Sequence, residues 1–325
     1  MILRPRRAQS LFASFRAERE PLLAAEPLPG ALKRYWVILV VFVVGALGNR
    51  LASDGPSLPA SVSCGTVSES ALHRIAPAKP PPYAVYVVSS DRPQGEAYVL
   101  NVLNKLRRED PLATKAKITL FNVGAPGKAW FGGLPPNVDV VQGSHDPVGV
   151  NLDPALDKHR DTPEHILWRA NSARDMRDVL RLGMYSGSPF VVVLEDDVDV
   201  APEFLRRLDA MVRSTAQERW LLWVLFHTEA FSARRFHHGE QFPYSGCTQG
   251  LMYRAAQMRG LVAYMDQHWR EDPSDFLVSF YLGLNTHHYV RVAVPSVVQH
   301  LGVRSTLIGE KRRFCFSESF NNSFG

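Results

Sequence analysis

Cysteine is scarce: three in 325 residues are too few to staple a small disulfide framework. Glycine, at 22 residues, is far below the one in three of a collagen repeat. Charged residues make up 21% and hydrophobic ones 46%, which excludes a wholly disordered chain. Long apolar runs are also nearly missing. One uncharged stretch, 35–48 (YWVILVVFVVGALG), stands alone, so a polytopic membrane protein is excluded. No repeat is visible at a period of 20 to 50 residues. The net charge of +5 is mild for this length, and its location matters more than its size.

At 1.5 Å per residue, the fourteen apolar residues span about 21 Å, short of a hydrocarbon core of roughly 30 Å. Ala31, Leu32, Leu51 and Ala52, with snorkelling Lys33, Arg34 and Arg50, close most of that gap. Seven Lys and Arg precede the run, and Arg50 alone follows it within 23 residues. Positive-inside bias then predicts a cytosolic tail at 1–34, a signal anchor at 35–52, and a type II orientation. Glu18 to Leu23 has the form of an acidic dileucine sorting signal. The stretch from 53, rich in Pro and Ser and ending at Pro80-Pro81-Pro82, reads as a stem. That leaves 83–325 as one lumenal domain in which basic and acidic residues balance to zero, so nucleic acid is not an expected partner. In an oxidising lumen Cys247 and Cys315 are the expected bridge, Cys64 is left for a homodimer, and Asn321 is a glycosylation acceptor.

Strand and helix signals alternate through this domain. Strands are predicted at 83–90, 118–123, 138–141, 190–194, 220–226 and 289–294. Helical patterns run through Leu100, Leu103 and Leu106, over 164–185, from Pro202 through Met211, and over 276–284. Alternation of this kind predicts an α/β fold, a sheet covered by helices.

Three constellations carry chemistry. Glu195-Asp196-Asp197 leaves the end of the apolar strand FVVVL, where α/β sheets bind ligands. Carboxylates so close repel unless a cation or donors neutralise them, and Mn²⁺ or Mg²⁺ with a diphosphate suits that chemistry. A solvated acidic turn is the plain alternative. His300, after an apolar strand and before Gly302, is a candidate further ligand or a structural imidazole. Glu271, Asp272 and Asp275 precede a helix, as capping acids or as a general base for an acceptor hydroxyl.

Several blocks together resemble a family. They are Asp91-Arg92-Pro93-Gln94-Gly95, Glu195-Asp196-Asp197, Ser245-Gly246-Cys247 before Leu251-Met252-Tyr253, Asp275-Phe276-Leu277, and Pro-x-x-Val-x-His-x-Gly-x-x-Ser over 295–305. In this order they resemble the Golgi N-acetylgalactosaminyltransferases that modify GPI anchors after protein attachment. More distantly they are similar to the N-acetylglucosaminyltransferase IV family. The resemblance implies a Golgi membrane enzyme with a GT-A (Rossmann-like) fold, and an inverting transfer of GalNAc or GlcNAc from a UDP-sugar to a GPI-anchor or protein-linked glycan. It implies Asp197 and His300 on the metal, and Ser89, Asp91, Arg92, Arg174, Glu195, Asp196 and His227 around the donor. Asp275 is then the preferred base, ahead of Asp272 and Glu271. The GPI-modifying family carries two extra membrane helices inside its catalytic domain, whereas here only 228–246 joins His227 to Cys247. A noncatalytic Golgi lectin or chaperone that keeps the fold is the rival reading.

Overall fold

A computed structural model describes residues 80–91, 95–144, 149–227, 244, 248–286, 288–302, 317 and 319–320. The tail, anchor and nearly all the stem lie outside that set, as do Cys64, Arg92, Cys247, Cys315 and Asn321. Among the described residues no helix is long and apolar enough to cross a membrane.

The chain opens on β1 (Tyr83–Ser89), α1 (Gly95–Glu109), β2 (Ala116–Asn122) and β3 (Val138–Gln142). Next come α2 (Pro163–Tyr185), β4 (Phe190–Glu195), β5 (Val198–Val200), α3 (Phe204–Ser214) and β6 (Trp220–Val224). It ends with β7 (Gly250–Arg254), α4 (Arg259–His268), α5 (Ser274–Leu284), β8 (Tyr289–Val292) and β9 (Val298–His300). A seven-stranded sheet runs in the order β3-β2-β1-β4-β7-β6-β8, and β5 and β9 form a separate pair. Strands β3, β2, β1 and β4 are mutually parallel, and β6 is parallel to β8. Strand β7 runs antiparallel to both of its neighbours.

Period-two alternation explains how the sheet is covered. Val85, Val87, Val192 and Leu194 join one core with Val99 and Leu103 of α1 and Leu208 of α3. Tyr86, Val191 and Val193 face a second core with Ala173 and Leu180 of α2, Leu261 of α4 and Leu277 of α5. Both faces of β4 are therefore dry, which is why its sequence is an unbroken apolar run. Helix α2 lies so close to β4 that a Cβ on Gly183 would sit 2.5 Å from Val191 Cγ1.

The predicted strands and helices are present within a residue or two, and the fold is a mixed α/β one with a mostly parallel sheet. Three features go beyond the sequence expectation: strand β7 with its reversed direction, the short β5–β9 pair and helix α4. Helix α3 begins after Pro202 as expected, but its cap comes from another helix. Residue Glu203, at φ 57°, makes no side-chain cap, and the Glu109 carboxylate accepts from the amides of Phe204 (2.8 Å) and Leu205 (3.0 Å). One α1 carboxylate thus satisfies two orphan N–H groups and meets the positive end of the α3 dipole. We expect Glu109→Ala to cost about 1–2 kcal/mol in urea unfolding. Glu109→Gln, which keeps one oxygen acceptor, should recover part of that loss.

Candidate active site

Connections leave β1 toward β2 on one side and return through β4 on the other, which makes the carboxyl ends of β1 and β4 a topological switch point. Val88 pairs with Glu195, so the segments following both strands emerge side by side. Ser90 N–H donates to Asp196 Oδ2 at 3.0 Å across this gap. Thr248, just before β7, donates its hydroxyl to Glu195 Oε1 at 2.6 Å. Asp196 and Asp197 are 0% and 1% exposed, so their charges are withdrawn from water.

The small sheet brings in the third partner. Val198 of β5 lies opposite His300 of β9, and Leu301 N–H donates to the Asp197 carbonyl at 2.7 Å. This pairing puts His300 Nε2 3.1 Å from Asp197 Oδ2. One ligand atom from each of Glu195, Asp197 and His300 falls within 4.8 Å of the others. Gly302 closes the cradle. A Cβ there would sit 2.0 Å from Asp197 Oδ2 and 2.9 Å from His300 Nε2. Two carboxylates and an imidazole with converging ligand atoms suit Mn²⁺ or Mg²⁺.

The acids near α5 divide sharply. Asp272 is 3% exposed and clamped by Lys158 Nζ and by His159 Nε2 at 3.0 Å. Burial would raise its pKa, but the hydrogen bonds and charges of His159 and Lys158 prevail and hold it below the ordinary carboxylate range. At Asp275 the sign is reversed. Burial pushes its pKa up, the amides of Phe276 and of Asp275 itself pull against that, and the charges of Glu195 and Asp272 push it further up. Glu271 is exposed and paired with His268 Nδ1 at 3.2 Å.

Other expected donor residues have more local partners. Ser89 ends β1 and is buried, with no hydrogen-bond partner for its hydroxyl among the described residues. Asp91 accepts from Ala125 N–H at 2.8 Å and pairs with Lys128 Nζ at 2.5 Å, bracing the loop after β2. Arg174 reaches Asn171 Oδ1 at 3.1 Å, with its guanidinium 5.6 Å from the Trp269 ring centroid. His227 is buried with Nε2 3.0 Å from the Ala293 carbonyl; burial lowers its pKa against that bond, which favours the neutral imidazole. Sequence reasoning missed Ser90, Thr248, Lys158 and His159, because ordinary polar residues on loops carry no motif.

No family model matches the chain. A zebrafish (Danio rerio) alpha-1,3-mannosyl-glycoprotein 4-beta-N-acetylglucosaminyltransferase C is 25% identical over 153 residues. Those residues are 47% of this chain and 30% of that protein, so the chain spans less than a third of its relative's length. The galactosyltransferase LgtC, solved with donor and acceptor sugar analogs, aligns with a TM-score of 0.39 at 15% identity over 65% of this chain and 73% of its own. S. aureus TarS 1–349 in complex with UDP-GlcNAc aligns at 0.38 and 14% over 66% and 56%. Mouse xyloside xylosyltransferase 1 aligns at 0.39 and 10% over 65% and 85%.

The raised pKa of Asp275 has a thermodynamic consequence of definite sign. Its folded pKa exceeds the unfolded one, so its contribution to stability is present at acid pH and is lost as pH rises through the folded value. Asp275→Asn should therefore stabilise the protein at pH 7 in EDTA, and the gain should vanish below roughly pH 4. Thermal midpoints of both proteins across that range check it. A variant less stable than the parent at pH 7 would contradict this account of Asp275.

Proposed function

We propose that this chain is a divalent-cation-dependent glycosyltransferase with a GT-A domain. It transfers N-acetylhexosamine from a UDP-sugar to a glycan hydroxyl with inversion. The observation that carries the reading is the convergence of Glu195, Asp197 and His300 at the switch point of a mostly parallel sheet. The name of the N-acetylglucosaminyltransferase relative supports GlcNAc as the first donor to test and a protein-linked glycan as the acceptor, ahead of a GPI anchor. The apolar run at 35–48 and the basic residues before it support a type II Golgi protein with this domain in the lumen.

Asp197 and His300 would hold Mn²⁺ or Mg²⁺, with Glu195 at the same centre. Bound there, the ion supplies positive charge for the departing UDP diphosphate. Asp196, held by the Ser90 amide, presents its carboxylate toward the donor's hydroxyls from a fixed position. Asp275 takes the proton from the acceptor hydroxyl as that oxygen attacks the anomeric carbon. Its raised pKa makes it a stronger base than an exposed aspartate, whereas Asp272 is a weaker one. Lys158 and His159 hold Asp272, and with it the first turn of α5, in place.

The test is a panel of UDP-sugars with Mn²⁺ on the purified full chain. Asp197→Asn should lower turnover by at least ~100-fold, more than outer-shell changes give, with folding intact. Gly302→Ala should weaken Mn²⁺ binding for the steric reason above. Asp275→Asn should lower kcat by a much larger factor than it raises the Mn²⁺ Kd. Full transfer activity in Asp197→Asn would overturn the proposal.

A further inference from the structure

His300 sits on a strand of only three residues, paired to another of three. Such a ladder is marginal by itself, yet a ligand side chain must be held to within about 0.5 Å. The described C-terminal residues supply a second hold. Gln299, 2% exposed, donates from Nε2 to the His300 carbonyl at 3.0 Å and accepts at Oε1 from Ser317 N–H at 3.1 Å. The Ser317 hydroxyl donates to Ser296 Oγ at 2.9 Å and lies 2.8 Å from Ser319 Oγ, and Ser319 Oγ accepts from Ser296 N–H at 3.1 Å. Ser296 and Ser317 are fully buried, and Ser296 Oγ also accepts from His227 N–H at 3.3 Å. Phe320, half-buried, packs against the core that contains Val298.

We infer that the Ser317–Gln299 link is a positioning device for the cation site: the C-terminal segment fixes the backbone of His300 from the side opposite its pairing with β5. Ser317 and Gln299 touch no reacting atom and act through His300. The inference rests on the metal-site reading above, and it extends the machinery of that site to a segment beyond the motif at 295–305. Buried networks of this kind are costly when only partly satisfied, so removing either partner should loosen the whole link.

The experiment titrates the full chain with Mn²⁺ alone, following free Mn²⁺ by electron paramagnetic resonance, with thermal midpoints recorded in EDTA. Gln299→Met should raise the Mn²⁺ Kd by about 10- to 100-fold, the range for groups that orient ligands. Ser317→Ala should raise it as well, and the double variant should be less than additive, because both residues act through one link. A merely structural role lowers the midpoint in EDTA and leaves the Kd of the folded protein within about twofold of the parent, and that result overturns the inference. If Gln299→Met does not fold, Ser317→Ala decides the matter by the same criterion. If the parent chain shows no saturable Mn²⁺ binding, the metal-site reading falls first and this inference with it.

Discussion

Two fully buried carboxylates, with a third half-buried beside them, are the condition to which the surrounding structure answers. Isolated charge in a protein interior costs many kcal/mol unless donors or cations surround it. Asp196 has the Ser90 amide, Glu195 the Thr248 hydroxyl, and Asp197 the His300 imidazole. Those three partners come from the end of β1, the approach to β7 and the end of β9, so three distant stretches of chain must meet at one point. Such an expensive concentration of negative charge is hard to account for as scaffolding, because apolar residues would pack the same space at lower cost.

Topology explains why that point lies where it does. Parallel strands β1 and β4 deliver their following segments to the same edge of the sheet, and the switch in connection direction leaves a crevice between them. The small β5–β9 sheet then brings His300 to Asp197 just beyond β4, and a glycine makes the close approach possible. A Cβ on Gly250, the first residue of β7, would lie 2.9 Å from Val298 Cγ2. With no side chain at Gly250 or Gly302, β9 has room to set His300 against Asp197. Both glycines serve close approach, and neither is needed for a left-handed turn.

Most of this architecture is legible in the sequence where local physics decides it. The run FVVVL declares a strand buried on both faces, and the spacing of Ile166, Ala170, Ala173 and Leu180 declares the buried face of α2. The acidic triplet and His300 stand out because buried charge is rare. What stays hidden depends on long-range meetings. Strand β7 is not among the predicted strands, and nothing local would mark it as antiparallel. The three-residue strands β5 and β9 exist only because they find each other, and Val198 is 102 positions from His300. The Glu109 cap of α3 is equally invisible, because a helix that borrows its cap from another element shows no N-terminal signature of its own.

The acids before α5 show what the structure adds to a motif. In the sequence, Glu271, Asp272 and Asp275 are three carboxylates within five residues, each able to favour the helix dipole or to serve as a base. The fold separates them. Glu271 stays in solvent with His268, and Asp272 is drawn beneath the 151–162 loop by a lysine and a histidine. At Asp275 burial, with the charges of Glu195 and Asp272, pushes the pKa up. Opposite shifts in neighbouring carboxyl groups would let one short stretch provide both an anchor and the proposed base. The two roles are linked. The charge of Asp272, after burial and Glu195, also pushes the pKa of Asp275 up. Spacing places three acids at the start of a helix, but only the surroundings that the fold gives Asp272 and Asp275 move their pKa values in opposite directions.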